Sequence, residues 1–235
     1  MTKYVLANWK AHKSMSEAEA WLEKFCQLYR PNPQVEVIIA PPALYLIPMQ
    51  QKLQKYTTEH LTLAAQDLSP FPPLGAYTGA MAAEMARDLV EFAILGHSER
   101  RRYFHETNQD VANKVSEARA ANIKPIVCVD KTYARSQIAA LSEADLEDLI
   151  IGYGPVDAIG INVPQSLEKI KEVIGEIRII APDKPILYGG SINEDNAGDY
   201  LAIAGLSGLM VGTASLDPVA FARICEKASY DDYVI

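Results

Sequence analysis

The sequence predicts an α/β fold closed into a (β/α)8 barrel, one domain over residues 1–235, on three observations. Eight short apolar or β-branched runs recur along the chain, and stretches of helical period separate them. No G-x-G-x-x-G follows the first run, which disfavours an open, doubly wound dinucleotide-binding sheet. A chain of 235 residues suits one large or two small domains, and a single eight-fold barrel commonly has this length.

The runs, in order, are YVLAN (4–8), VEVIIA (35–40), LTLAAQ (61–66), FAILG (92–96), PIVCV (125–129), LIIGY (149–153), PILYG (185–189) and GLMVG (208–212). They are continuous rather than alternating, as expected of parallel strands buried on both faces. Between the first two, SMSEAEAWLEKFCQLYR reads as a helix with Ser16 and Glu19 as its capping box. Its inward stripe reads as Ala20, Leu22, Phe25, Cys26 and Leu28. A later helix, ETNQDVANKVSEARAAN, stops at Asn122. Pro164 opens the helix PQSLEKIKEVIGEI, and Asp217-Pro218 caps and opens DPVAFARICEKA.

With 49% hydrophobic and 22% charged residues, the chain can bury a full core. A net charge of −8 argues against general nucleic-acid or anionic-membrane binding. It does not argue against a small anionic ligand, which local amides and one lysine can hold. Cys26, Cys128 and Cys225 are scattered and odd in number, a pattern of a reduced protein rather than a disulfide framework. The start MTKYVLANWK lacks the apolar run of a signal peptide, and no stretch is long enough to span a bilayer. The expectation is a soluble cytoplasmic protein.

In barrels of this kind the chemistry sits where the strands end. Strand 1 ends in Asn8-Trp9-Lys10, strand 4 in Gly96-His97-Ser98-Glu99, strand 6 in Gly154-Pro155, strand 7 in Gly189-Gly190-Ser191 and strand 8 in Gly212-Thr213. Lys10 reads either as an oxyanion-stabilising cation or as an ordinary surface lysine. His97 reads as an electrophile near neutral pH or as a structural histidine. Glu99 either fixes Lys10 or joins an exposed charge cluster in ERRRY. The turns YGGSI and MVGTAS are ordinary tight turns or a phosphate cradle, and their place on consecutive strands favours phosphate. His12, His60 and His105 show no metal-ligand spacing. The loop FPPLGAYTGA (71–80) either packs locally or inserts into a partner.

Taken together, ANWK, GAYTG, ILGHSERR, PIVCV, YGGSI and VGTASLDP closely resemble the signatures of the triosephosphate isomerase family, in order and over nearly the whole chain. The resemblance implies a TIM barrel and the interconversion of glyceraldehyde 3-phosphate and dihydroxyacetone phosphate, a step of glycolysis and gluconeogenesis that needs no cofactor. It also implies that family's division of labour between a glutamate base and a neutral histidine under a closing loop. By the same resemblance Asn8 and Lys10 touch the substrate, His97 polarises its carbonyl and Glu99 supports Lys10. Gly160, Ser191, Gly212 and Thr213 lie at phosphate positions, and Tyr188 and Ser191 latch the loop after strand 6. The loop around Tyr77 and Thr78 enters a second subunit, implying a homodimer.

The stretch LIIGYGPVDAIGINVP departs from the family's Y-E-P-V-W-A-I-G-T-G. Aligned on Tyr153, Pro155-Val156 and Ala158-Ile159-Gly160, the catalytic glutamate falls on Gly154. Asp157 stands for the hinge tryptophan, INVPQ for the usual lid sequence, and Lys131 for a glutamate after strand 5. Glycine cannot serve as a base, so the resemblance predicts strongly impaired isomerisation with a phosphate pocket retained. Two further readings stand beside it. One is an active sugar-phosphate isomerase whose base has moved to Asp157 or Asp130, and the other is a non-catalytic oligomeric partner using loop 71–80.

Overall fold

The structure, a computed structural model, describes residues 2–56, 59–131, 133–141, 147–155 and 165–229. Eight parallel strands close into a barrel in chain order: β1 Lys3–Asn8, β2 Val35–Ala40, β3 Leu61–Ala65, β4 Phe92–Leu95, β5 Lys124–Val129, β6 Ile150–Tyr153, β7 Ile186–Tyr188 and β8 Gly208–Val211. Closure is made where β1 pairs with β8, Tyr4 opposite Gly208 and Val5 opposite Leu209. A Cβ at Gly208 would lie 1.9 Å from the Tyr4 carbonyl oxygen. Only glycine lets these two strands meet.

Alternate residues of each strand serve two cores, which is why the runs are apolar throughout. Leu6, Ile38, Phe92, Ile126, Ile150 and Leu187 fill the barrel interior. Val5, Val37, Leu63, Val127 and Leu209 face the helical layer.

The helices around the barrel are α1 Met15–Leu28, α2 Leu46–Leu53, α3 Ala83–Ala86, α4 Ser98–Phe104, α5 Asn108–Ala120, α6 Ala134–Ala139, α7 Leu167–Ile180, α8 Ala197–Leu201 and α9 Pro218–Ser229. The α1 capping box is Ser14–Glu17, not Ser16–Glu19. Two overlapping S-x-x-E matches are present, and the earlier one wins because Ser14 is extended while Met15 already begins the helix. The inward face shifts with it. Ala18, Trp21, Leu22 and Phe25 are buried, whereas Ala20 is exposed. Trp21 is drawn inward by aromatic neighbours, with Trp9 edge-on at 4.8 Å and Phe221 of α9 at 5.9 Å.

Asn122 takes a left-handed φ of 59° just past α5, the stop its side chain permits. Asp217 Oδ1 accepts from the Val219 and Ala220 N–H groups ahead of α9, with Pro218 as its first residue. For α7 the cap is Ser166, and the expected start at Pro164 lies outside the described residues. Among the described residues no helix is long and apolar enough to cross a membrane.

Between β3, α4 and α5 lies a buried charge network. Lys114, 2% exposed, bridges Asp67 at 2.7 Å and Glu106, while Arg100 reaches Asp67 at 2.8 Å and also Glu106. Arg100 is therefore not part of an exposed ERRRY cluster, as the sequence allowed. Lys114 and Glu106 are almost fully buried and Asp67 and Arg100 partly so, and Glu106 Oε2 has no hydrogen-bond partner among the described residues, so removing Lys114 leaves a buried carboxylate uncompensated. Replacing Lys114 by methionine is expected to lower unfolding stability by about 3–5 kcal/mol, read as a shift in the urea midpoint at unchanged slope.

Candidate active site

At the C-terminal rim of the barrel the strand ends enclose a cleft of about 460 Å³. One wall starts from β1. Lys10 has φ 52°, uncommon for a residue with a side chain. Two hydrogen bonds hold it there: its N–H donates to Asn8 Oδ1 at 3.0 Å, and Gln66 Nε2, itself anchored on the Ala40 carbonyl at 2.8 Å, donates to the Lys10 carbonyl at 2.9 Å. Asn8 thus acts first as a backbone brace. The strained turn sets Lys10 on the cleft lining, and its Nζ pairs with Glu99 Oε1 at 2.6 Å. Glu99 lies behind the lysine rather than on the cleft wall. Of the two readings of Glu99, the pairing one is what the fold builds.

His97 follows Gly96, whose φ of 68° turns the chain at the end of β4. A Cβ at Gly96 would lie 2.8 Å from a Val111 methyl and 2.9 Å from Arg101 Nη2. His97 caps α4, and its Nδ1 accepts the Glu99 N–H at 3.3 Å. An acceptor at Nδ1 leaves Nε2 as the N–H of the neutral ring. Burial holds the imidazole below the ordinary histidine value, the Glu99 carboxylate pulls it back and Lys10 pushes it further down. A neutral, N–H-donating ring beside a fixed ammonium can polarise a ligand carbonyl.

The opposite wall comes from β7 and β8. A Cβ at Gly190 would lie 2.1 Å from Tyr188 Oη. Tyr188 is fully buried, its ring 6.0 Å from Tyr153 and 4.8 Å from Tyr200, so the ring cannot yield. Packing alone therefore demands glycine at 190. At Gly212, by contrast, a Cβ would meet nothing nearer than Lys10 Cε at 4.0 Å. Ser191, Gly212 and Thr213 all line the cleft, Thr213 as an exposed residue at the start of the 3-10 turn Thr213–Leu216. Tyr188 does not line it. Asn196 Nδ2 holds the Ser191 carbonyl at 2.9 Å, fixing that turn.

Between these walls, Gly154 sits on the cleft lining beside Asp130, its N–H bonded to the Val129 carbonyl at 3.1 Å. Asp130 Oδ1 accepts the Tyr133 N–H at 3.0 Å just ahead of α6. Asp157 and Gly160 lie outside the described residues. Lys131 turns away to Glu172 and Glu176 of α7, at 2.6 and 3.3 Å. Tyr77 and Thr78 lie on an exposed loop away from the cleft. Among the described residues no cluster of His, Cys, Asp and Glu is placed to hold a metal.

The comparisons with known proteins agree with this geometry. The triosephosphate isomerase family model matches residues 3–228. The chain belongs to the triosephosphate isomerase family. Proteins named triosephosphate isomerase from Dehalococcoides mccartyi and Nitrosococcus oceani are 34% and 36% identical to it, covering 96% and 97% of this chain and 96% and 99% of their own. One from Mesomycoplasma hyorhinis is 36% identical over 94% of this chain and 96% of its own. An isomerase-type site is what such kinship and the cleft share.

Sequence reasoning missed several lining residues of this family member, chiefly Arg101, Gln137, Asn193 and Met210. Arg101 was legible in principle as the residue one helical turn beyond His97. Gln137 had no such signal, because a glutamine in a polar stretch points nowhere by pattern.

A lowered folded-state pKa means that the unfolded chain takes up its proton first. The His97 contribution to stability is therefore full above about pH 6.5 and is lost as pH falls through that value toward the folded-state pKa. At pH 7 the imidazole ¹⁵N signals of His97 are expected to show the neutral Nε2–H form, with a protonation midpoint below about 6.5. A midpoint at or above that value contradicts the buried, neutral ring.

Proposed function

We propose that this chain is a cytoplasmic, single-domain triosephosphate isomerase-type protein that binds a small phosphorylated ligand and carries out the family's isomerisation only weakly. One juxtaposition carries the reading. Lys10, fixed by Glu99, and neutral His97 face a cleft rimmed by the β7 and β8 turns, while the position aligned with the family's base is Gly154 on the same lining. Lys10 draws in the anion and His97 polarises the carbonyl. The Ser191 and Gly212–Thr213 turns offer the phosphate backbone amides.

Isomerisation also needs a proton removed from the carbon beside that carbonyl. Loss of the general base costs about 10²–10⁴-fold, roughly 3–5 kcal/mol of barrier. Asp130 is the aspartate that lines the cleft among the described residues, which keeps a relocated base in play. Its Oδ1 is occupied by the Tyr133 N–H, so it serves the loop before it serves a substrate. The exposed apolar loop 71–80 supports association into a homodimer, with Leu74 fully exposed and Phe71 stacked on Tyr77 at 4.3 Å.

In a coupled assay with glyceraldehyde 3-phosphate, wild-type protein is expected to show little turnover above a Lys10→Ala control. Gly154→Glu is expected to raise kcat/KM by about 10²–10⁴-fold. Robust wild-type turnover that disappears in Asp130→Asn places the base at Asp130 and sinks the impaired reading.

A further inference from the structure

The β4–β6 side of the cleft carries hydrogen-bond donors that no described residue uses. Gln137 is 5% exposed, sits on α6 and lines the cleft. Its Oε1 accepts the Asp130 N–H at 3.3 Å, which fixes the amide orientation because the opposite one would set two donors against each other. The Nε2 donors are then left toward the cleft, with no hydrogen-bond acceptor among the described residues.

Arg101 lines the same side. Its Nε donates to the Gly96 carbonyl at 2.9 Å and its Nη1 to Asn108 Oδ1 at 2.8 Å. Among the described residues it makes no ion pair with a carboxylate, unlike Arg100 beside it. Burial disfavours the charged form of this guanidinium, a cost that an anion from outside would offset. Gly154, on the same lining, brings neither a side chain nor a charge to compete for these donors.

We infer that Arg101 and Gln137 form a second subsite for a carboxylate, so that the cleft takes a short phosphorylated carboxylic acid rather than a phosphorylated aldehyde or ketone. This rests on the phosphate-pocket reading proposed above. Arg101 keeps its Nη2 hydrogens and Gln137 its Nε2 hydrogens, one donor group for each oxygen of a carboxylate. Asp130 on the same lining partly offsets Arg101, which suits one negative charge better than two. A cleft of about 460 Å³ has room for a short acid that spans the phosphate turns and this donor pair. An uncharged carbonyl end would leave the guanidinium without an ion-pair partner among the described residues.

The test is calorimetric titration with two ligands that differ only at that end, 3-phosphoglycerate and glycerol 3-phosphate. Wild-type protein is expected to bind the acid about 10–100-fold more tightly, the range for hydrogen bonds to a charged group. Gln137→Glu keeps the acceptor for the Asp130 N–H but replaces the donors by a negative charge, and is expected to abolish the preference. Arg101→Met is expected to do the same, and if that variant does not fold, Gln137→Glu decides. Equal affinity of the wild type for both ligands overturns the carboxylate subsite while leaving the phosphate pocket standing. A preference that survives in Gln137→Glu also overturns it, because the carboxylate is then read elsewhere. Failure of both ligands to bind overturns the subsite and the phosphate-pocket reading together.

Discussion

Everything at the site depends on the sheet meeting itself. Because β1 is hydrogen-bonded to β8 as well as to β2, the eight strand ends form a ring, and residues from Asn8 to Thr213 come to line one cleft. The closure is sterically narrow: the β1 backbone passes where a β8 side chain would begin, and Gly208 is what lets it through. A ring of parallel strands also aims every carbonyl-terminated end the same way. Loops rather than strands are then free to carry chemistry.

Around that ring the site is uneven. On the β1 and β4 side each polar group is held by another: Asn8 braces the Lys10 backbone, Glu99 holds the Lys10 ammonium, and the Glu99 backbone holds His97. Preorganisation of this kind allows a site to stabilise charge without reorganising as it develops. On the β5 and β6 side the fold spends its acceptors on itself. Asp130 and Gln137 build the turn into α6, and Lys131 pairs outward with α7. The chemistry open to the cleft is set by this contrast more than by any one residue.

Much of this was legible in the sequence because position in a strand–helix unit carries chemical meaning. The strand runs gave the barrel, and the residues following them gave Asn8, Lys10, His97 and Gly154 as cleft-lining groups. Where the pattern was degenerate, sequence reasoning failed in specific ways. Overlapping serine–glutamate pairs hid the true α1 cap, and the stripe that placed Ala20 inward overlooked the aromatic contacts that pull Trp21 into the core. The paired glycines of YGGSI looked like a phosphate signal. Gly190 is already required by the buried ring of Tyr188, so that signal was weaker than it looked. Gln137 was invisible, since no pattern in its six-residue helix marks the residue that meets the cleft.

The buried lysine between β3, α4 and α5 has a consequence for how this chain can change over generations. Asp67, Arg100, Glu106 and Lys114 pair in a largely buried network, so any single replacement strands a charge. Helix α4 descends from His97 and Glu99, so the same network holds in place the side of the rim that carries them. The loop after β5 is instead tied by solvent-exposed ion pairs between Lys131 and α7, which are worth little and can be exchanged freely. Change is thereby cheaper on one arc of the barrel: the loop after β5 can lose its ion pairs at little cost, whereas the arc bearing His97 is tied to a largely buried charge network.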